Sequence, residues 1–141
     1  MSDRHVNDPG LIRELLTTPG RWAVVGLSTN RTRPAFAVSR RIRDEFGQEI
    51  IPVNLAGEDV HGETGYRSLE DIPGHVDVVD CFVNSQRVGD VVDQAIDIGA
   101  GAVWMQLGVT DPAAAERAKA AGLKAVMNTC PLIEAPRVLY S

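Results

Sequence analysis

The 141 residues carry 44% hydrophobic and 23% charged side chains and a net charge of −5. That composition fits one folded globular domain and excludes disordered, collagen-like and low-complexity chains. An acidic balance argues against non-specific nucleic-acid binding, although five of the twelve arginines fall between Arg31 and Arg43 and predict one local positive patch. No run nears the roughly 20 apolar residues of a membrane span, and Met1-Ser2-Asp3-Arg4-His5 is no secretory signal. Cys81 and Cys130 belong to no Cys/His cluster, so reduced thiols and no metal site are expected in a cytoplasmic protein without membrane or nucleic-acid partners.

In chain order, Asp8-Pro9 reads as an N-cap followed by a first-turn proline. Leu11, Ile12, Leu15 and Leu16 continue it as a leading helix over about 9–18. Trp22 to Leu27 is an apolar run without alternation, the signature of a strand covered on both faces. Pro34 opens a second helix with Ala35, Val38, Ile42 and Phe46 on one stripe, and Gly47 closes it. Glu49 to Val53 is a second strand, which Pro52 places at an edge or at the strand's last residues. Asn54 to Gly74, with three glycines before Gly74 and Pro73, predicts an irregular connection containing one or two brief strands or turns.

Val76 to Val83 is a third strand, and Val88, Val91, Val92, Ala95 and Ile96 form the apolar face of the helix behind it, with Gly99 as its cap. Ala102 to Leu107 is a fourth strand. Asp111-Pro112 starts an alanine-rich helix that runs to Gly122, and Lys124 to Met127 is a fifth strand. Asn128-Thr129-Cys130-Pro131 then turns into a short C-terminal stretch. Alternation of this kind predicts an α/β protein with a doubly wound, mainly parallel sheet of five strands or slightly more and helices on both faces. Ligands of such folds bind beyond the carboxyl ends of the strands, which singles out loops 26–34, 53–56, 83–86, 106–111 and 127–131.

The first of these loops reads Gly26-Leu27-Ser28-Thr29-Asn30-Arg31-Thr32-Arg33-Pro34. It is not a GxGxxG fingerprint, yet it sets hydroxyls, an amide and two guanidinium groups at a helix start, where free N–H groups and the helix dipole favour a phosphate. The alternative for the same residues is that Ser28, Thr29 and Asn30 cap the helix while the arginines are solvated. A dinucleotide reader would carry an acidic residue, or an arginine for a 2′-phosphate, at the end of the second strand. Here that strand ends Pro52-Val53-Asn54-Leu55, with Glu49 at its beginning and Glu58 beyond the turn, which counts against NAD and NADP.

Taken in order, the segments VVGLSTNRTRP, IIPVN, YRSLEDIP, VDVVDCFVNS, AIDIGA, VWMQLGV and VMNTCPLIEAPR carry a family resemblance from about Trp22 to Val138. The sequence resembles the stand-alone CoA-binding proteins related to the nucleotide-binding domain of the succinyl-CoA synthetase α subunit. The resemblance implies a Rossmann-like fold that binds coenzyme A or a short acyl-CoA. Gly26, Ser28, Thr29, Arg31, Arg33 and Pro34 would hold the phosphates, with Arg33 the foremost of them. Asn54 matches the polar position after the second strand, Phe82, Val83, Asn84 and Ser85 the edge along which nucleotide or pantetheine lies, and Gln106 and Gly108 the loop after the fourth strand. Two departures stand out, since the family often has arginine where Val83 and Thr129 stand here.

The related synthetase needs a second domain with a phosphorylatable histidine and a β subunit, and the 141 residues have no segment to spare for such a domain. His5, His61 and His75 fall in the tail and loops, where solvation or turn structure is expected. Cys130 is the one nucleophile at the ligand edge, with no general base beside it in the sequence; Cys81, Trp104 and Met105 are expected in the core. Asp80 and Glu134 are the remaining carboxylates of interest, and Asp80 is expected to cap or pair locally. The expectation is therefore a non-catalytic binding module for a small nucleotide ligand, with a second copy of the chain or a partner enzyme as candidate partners. Its rivals are an NAD(P)-binding oxidoreductase or redox sensor, and a CoA-dependent transferase or ligase subunit that needs a partner chain.

Overall fold

The computed structural model describes residues 5–139. Helix α1 (Pro9–Thr17) starts where the Asp8 carboxylate accepts the Gly10 N–H at 2.9 Å. Strand β1 (Arg21–Val25) leads to α2 (Pro34–Phe46), which ends at Gly47 in the left-handed conformation, φ 72°. Strand β2 (Glu49–Val53) is followed by an irregular segment with a short 3-10 turn at Leu69–Asp71. Strand β3 (Val78–Cys81), helix α3 (Val88–Asp97), strand β4 (Ala102–Met105), helix α4 (Pro112–Ala120) and strand β5 (Lys124–Val126) then alternate. Helix α5 (Pro131–Leu139) completes the described chain.

All four strand pairs are parallel and the order is β2-β1-β3-β4-β5. The direction of winding reverses between β1 and β3, so their carboxyl ends open the crevice in which such folds bind ligands. The expected α/β doubly wound fold is thus present. Pro52 sits on the edge strand β2, where its missing N–H breaks no ladder on the solvent side. The two faces of the sheet are covered differently. Residues of α3, α4 and the 3-10 turn pack on Ala23, Val79, Cys81 and Val103. Residues of α1, α2 and α5 pack on Trp22, Val24, Val78 and Trp104, whose two indole rings lie 5.7 Å apart.

Two differences from the sequence reading have physical causes. The strands are shorter than their apolar runs, because β1 stops where Gly26 turns at φ 100° and β3 hands over to the ligand-edge loop after Cys81. The C-terminal stretch is a helix, started by Pro131 and by the Cys130 carbonyl, which accepts the Ile133 and Glu134 N–H groups. Pro136 inside it masks the helical pattern, and packing of α5 against α1 holds the segment in place.

Candidate functional site

The site is built where three strands end. The Gly26 N–H donates to the Val53 carbonyl at 2.8 Å and the Phe82 N–H to the Val25 carbonyl at 2.9 Å, lacing the ends of β2, β1 and β3 together. A Cβ at Gly26 would stand 2.6 Å from the Phe82 carbonyl oxygen, and φ there is 100°. The close approach of loop to strand therefore requires glycine. Beyond it the loop is shaped by its own side chains: the Ser28 hydroxyl accepts the Asn30 N–H at 3.2 Å, and the Asn30 carboxamide accepts the Thr32 N–H at 3.0 Å. These bonds form turns and do not cap α2, whose N-cap residue Arg33 makes no side-chain cap.

A cleft of about 1000 Å³ opens over these strand ends. Gly26, Ser28, Arg33, Pro34, Asn54, Phe82, Val83, Asn84 and Gln106 all line it. Thr29 and Arg31 face a separate, smaller hollow of about 390 Å³, where the Arg31 guanidinium lies 5.8 Å from the centre of the Phe36 ring. Ser85 and Gly108 are outside the cleft lining and brace its rim, the Ser85 hydroxyl donating to the Gly108 carbonyl at 3.3 Å and accepting the Thr110 N–H at 2.9 Å. Asn54 folds the loop after β2: its side-chain amide donates to the Leu27 and Glu58 carbonyls, and its oxygen accepts the Glu58 N–H. That fold brings Glu58 back into the cleft lining, within 3.5 Å of the Thr29 hydroxyl.

Two cleft residues escape a sequence reading. Arg87 is the N-cap residue of α3 and makes no side-chain cap, repeating the arrangement of Arg33 on α2. An arginine just ahead of the third helix was its only signal. Arg67 arrives from the irregular segment because Tyr66 pairs with the end of β2, its N–H donating to the Pro52 carbonyl at 3.0 Å. No local pattern announces that pairing. Arg33, Arg67 and Arg87 have no carboxylate within ion-pair distance among the described residues, whereas Arg21, Arg41, Arg43 and Arg117 are each paired. Arg67 and Arg87 thus join Arg33 in the cleft lining from two other loops.

Beneath the cleft lies Asp80, fully buried and facing the α1/α2/α5 side of the sheet, not the local cap or pair expected from the sequence. Its Oδ1 lies 2.6 Å from the Gln106 side-chain amide, and its Oδ2 has no partner. Burial pushes the carboxyl up from 3.8 to about 7, against the smaller opposing pull of the Gln106 hydrogen bond. Cys130 lines the same cleft half-buried; burial pushes its thiol up, and the Leu132 and Ile133 amides pull it partly back. Asp80 and Arg41 also act on it, in opposite directions. Cys81 is buried in the core with its thiol pushed far up by burial, and Glu134 accepts the Thr129 hydroxyl at 2.5 Å. His61 borders the smaller hollow, bonded to the Phe36 carbonyl at 2.8 Å, and burial lowers its pKa.

An uncapped helix start beside arginines without a carboxylate, over a glycine-dependent strand end, is the setting in which doubly wound α/β proteins hold their ligands. The chain belongs to the CoA binding domain family, whose profile matches residues 20–136. It is 34% identical over 119 residues to the uncharacterized protein YneT of Bacillus subtilis, covering 84% of this chain and 87% of that one. It is similar in structure to a hypothetical protein from Pyrococcus horikoshii, with a TM-score of 0.86 and 38% identity over 94% of this chain and 93% of the other. A shorter stretch of 60 residues is 34% identical to the acetate–CoA ligase (ADP-forming) II subunit alpha of Pyrococcus furiosus, covering 43% of this chain and 13% of that subunit. The ligase likeness expected from the sequence is found here to an acetate–CoA ligase. No helix among the described residues is long and apolar enough to cross a membrane, and no group of three metal-ligating side chains occurs among them.

Proposed function

We propose that the cleft binds coenzyme A, with its phosphates held at the start of α2 and its pantetheine arm laid along the ends of β3 and β4. The observation that carries this reading is the convergence of Arg33, Arg67 and Arg87, none of them paired with a carboxylate among the described residues, on one cleft whose remaining lining includes Phe82, Val83, Leu107 and Ile133. Three cations suit a ligand with a diphosphate and a further phosphate, and the apolar lining suits a flexible pantetheine chain. Ser28 and the uncapped amides of α2 add donors for phosphate oxygens. Leu55 and Leu107 are 84% and 62% exposed at the same cleft, which leaves apolar surface for the ligand to cover.

Calorimetric titration with CoA tests the reading. Saturable binding is expected, weakened about tenfold or more by Arg33→Ala, the usual cost of losing a hydrogen bond to a charged group. Smaller losses are expected for Arg67→Ala and Arg87→Ala, and added salt weakens all of them. Folded protein at high concentration that takes up no CoA overturns the proposal. Glu58 favours one second reading, because a carboxylate beside the end of β2 is what a dinucleotide's ribose hydroxyls would engage. Titration of NADH fluorescence, with CoA as competitor, separates the two.

A further inference from the structure

Asp80 is costly where it stands. A carboxylate shut away from water with one oxygen unpartnered loses hydration that a single amide cannot replace. The strand neighbours at its register are apolar, Val24 on β1 and Trp104 on β4. The titratable groups within electrostatic reach are Cys81 on the opposite face of the same strand and Cys130 ahead of α5, each pushed up in part by Asp80. From α2, Arg41 acts on Cys130 but is held by Glu45 at the surface. No described residue in this surrounding supplies a counter-charge, so the carboxyl is drawn toward its neutral form.

Its one partner reaches the ligand. Gln106 follows β4, is 4% exposed and lines the cleft. One end of its carboxamide meets Asp80, and the other, without a partner among the described residues, is open toward the cleft that Gln106 lines. A carboxamide can turn over, exchanging its oxygen and nitrogen in nearly the same positions. A neutral Asp80 can instead donate its O–H to the Gln106 carbonyl, and the Gln106 NH2 group then faces the cleft as a donor. An ionised Asp80 requires the reverse, with Gln106 donating downward and presenting its carbonyl oxygen to the ligand.

We propose that Asp80 is a positioning residue whose proton sets which face of the Gln106 amide meets the ligand, so that the cleft takes phosphate or carbonyl oxygens best when Asp80 is neutral. This inference rests on the reading of the cleft as a CoA site. No bond is made or broken apart from the transfer of one proton between Asp80 and solvent, and the protein binds the ligand with uptake of that proton at neutral and higher pH.

The experiment is CoA affinity by calorimetry from about pH 6 to pH 8.5 for the natural protein and for Asp80→Asn. Asparagine stays neutral and can donate its own N–H to the Gln106 carbonyl, so it mimics the protonated carboxyl. The natural protein is expected to lose affinity roughly tenfold more than Asp80→Asn across that range, within the span usual for coupled equilibria. Ionisation of the CoA 3′-phosphate and of His61 occurs in both proteins and cancels in the comparison. Should Asp80→Asn fold poorly, titration of the natural protein at pH 7.5 in buffers of different ionisation enthalpy reads the proton directly, and uptake is expected. Parallel pH profiles for the two proteins, or no proton uptake above that of the ligand's own phosphate, overturn the inference while leaving CoA binding intact. Absence of CoA binding at every pH overturns the reading of the site itself.

Discussion

The two ends of the sheet treat polar groups in opposite ways. At the amino end no fully buried side-chain polar atom of the described residues lacks a partner. Gln48, 1% exposed, accepts the Gly20 N–H and donates to the Leu15, Leu16 and Thr18 carbonyls, stapling the turn between α1 and β1 to the start of β2. Arg21 joins Glu49 and the Pro73 and His75 carbonyls, while Asp77 accepts the Arg21 N–H at 2.7 Å. At the carboxyl end Asp80 keeps an unpartnered oxygen, Arg33, Arg67 and Arg87 have no carboxylate within ion-pair distance among the described residues, and α2 begins without a side-chain cap. The contrast teaches where the fold spends its polar groups on itself and where it leaves them open, as the proposed ligand would need. Satisfied groups stabilise the scaffold, and unsatisfied ones mark the place where something else must complete them.

The largest expected effect breaks the contrast at its most costly point. Because burial raises Asp80 from 3.8 to about 7, the folded chain holds a proton that the unfolded chain has released between those values. Its contribution to stability is complete below the lower value and is lost as the pH rises through the upper one, a change of about 4 kcal/mol at ~1.4 kcal/mol per pH unit. Denaturant unfolding of the natural protein and of Asp80→Asn at a series of pH values is expected to show the variant gaining steadily between about pH 4 and pH 7 and levelling off above. A constant difference between them would mean that Asp80 is not the group that titrates.

Next in size is the amino end. Gln48→Ala removes the partner of four backbone groups at once and is expected to cost about 3 kcal/mol of stability, the toll of leaving buried backbone groups unanswered. CoA affinity of the protein that remains folded should be unchanged, and a matching loss of affinity would blur the division between the two ends. The smallest effect is expected at Lys124, whose ion pair with Glu14 at 3.0 Å lies on the surface with both side chains 54% exposed. Lys124→Ala should change stability by less than about 0.5 kcal/mol, since exposed pairs gain little over water. Equilibrium unfolding resolves all three and orders them.

The sequence by itself determined the alternation of strands and helices and the parallel sheet, put Pro52 at an edge or a strand end, and singled out the loop from Gly26 to Pro34 as the candidate ligand mouth. These follow from runs, caps and turn residues that act over a few positions, so their physics is local. Tertiary structure alone decided which arginines share a cleft, for Arg67 is delivered by Tyr66 pairing with β2, and Thr29 and Arg31 are turned toward a different hollow. It also decided that Asp80, one polar residue in the apolar run of β3, lies under Gln106 from the end of the neighbouring strand. A hydrogen bond between residues 26 positions apart, and the desolvation that gives it consequence, exist only once the sheet has formed and the helices have closed over it.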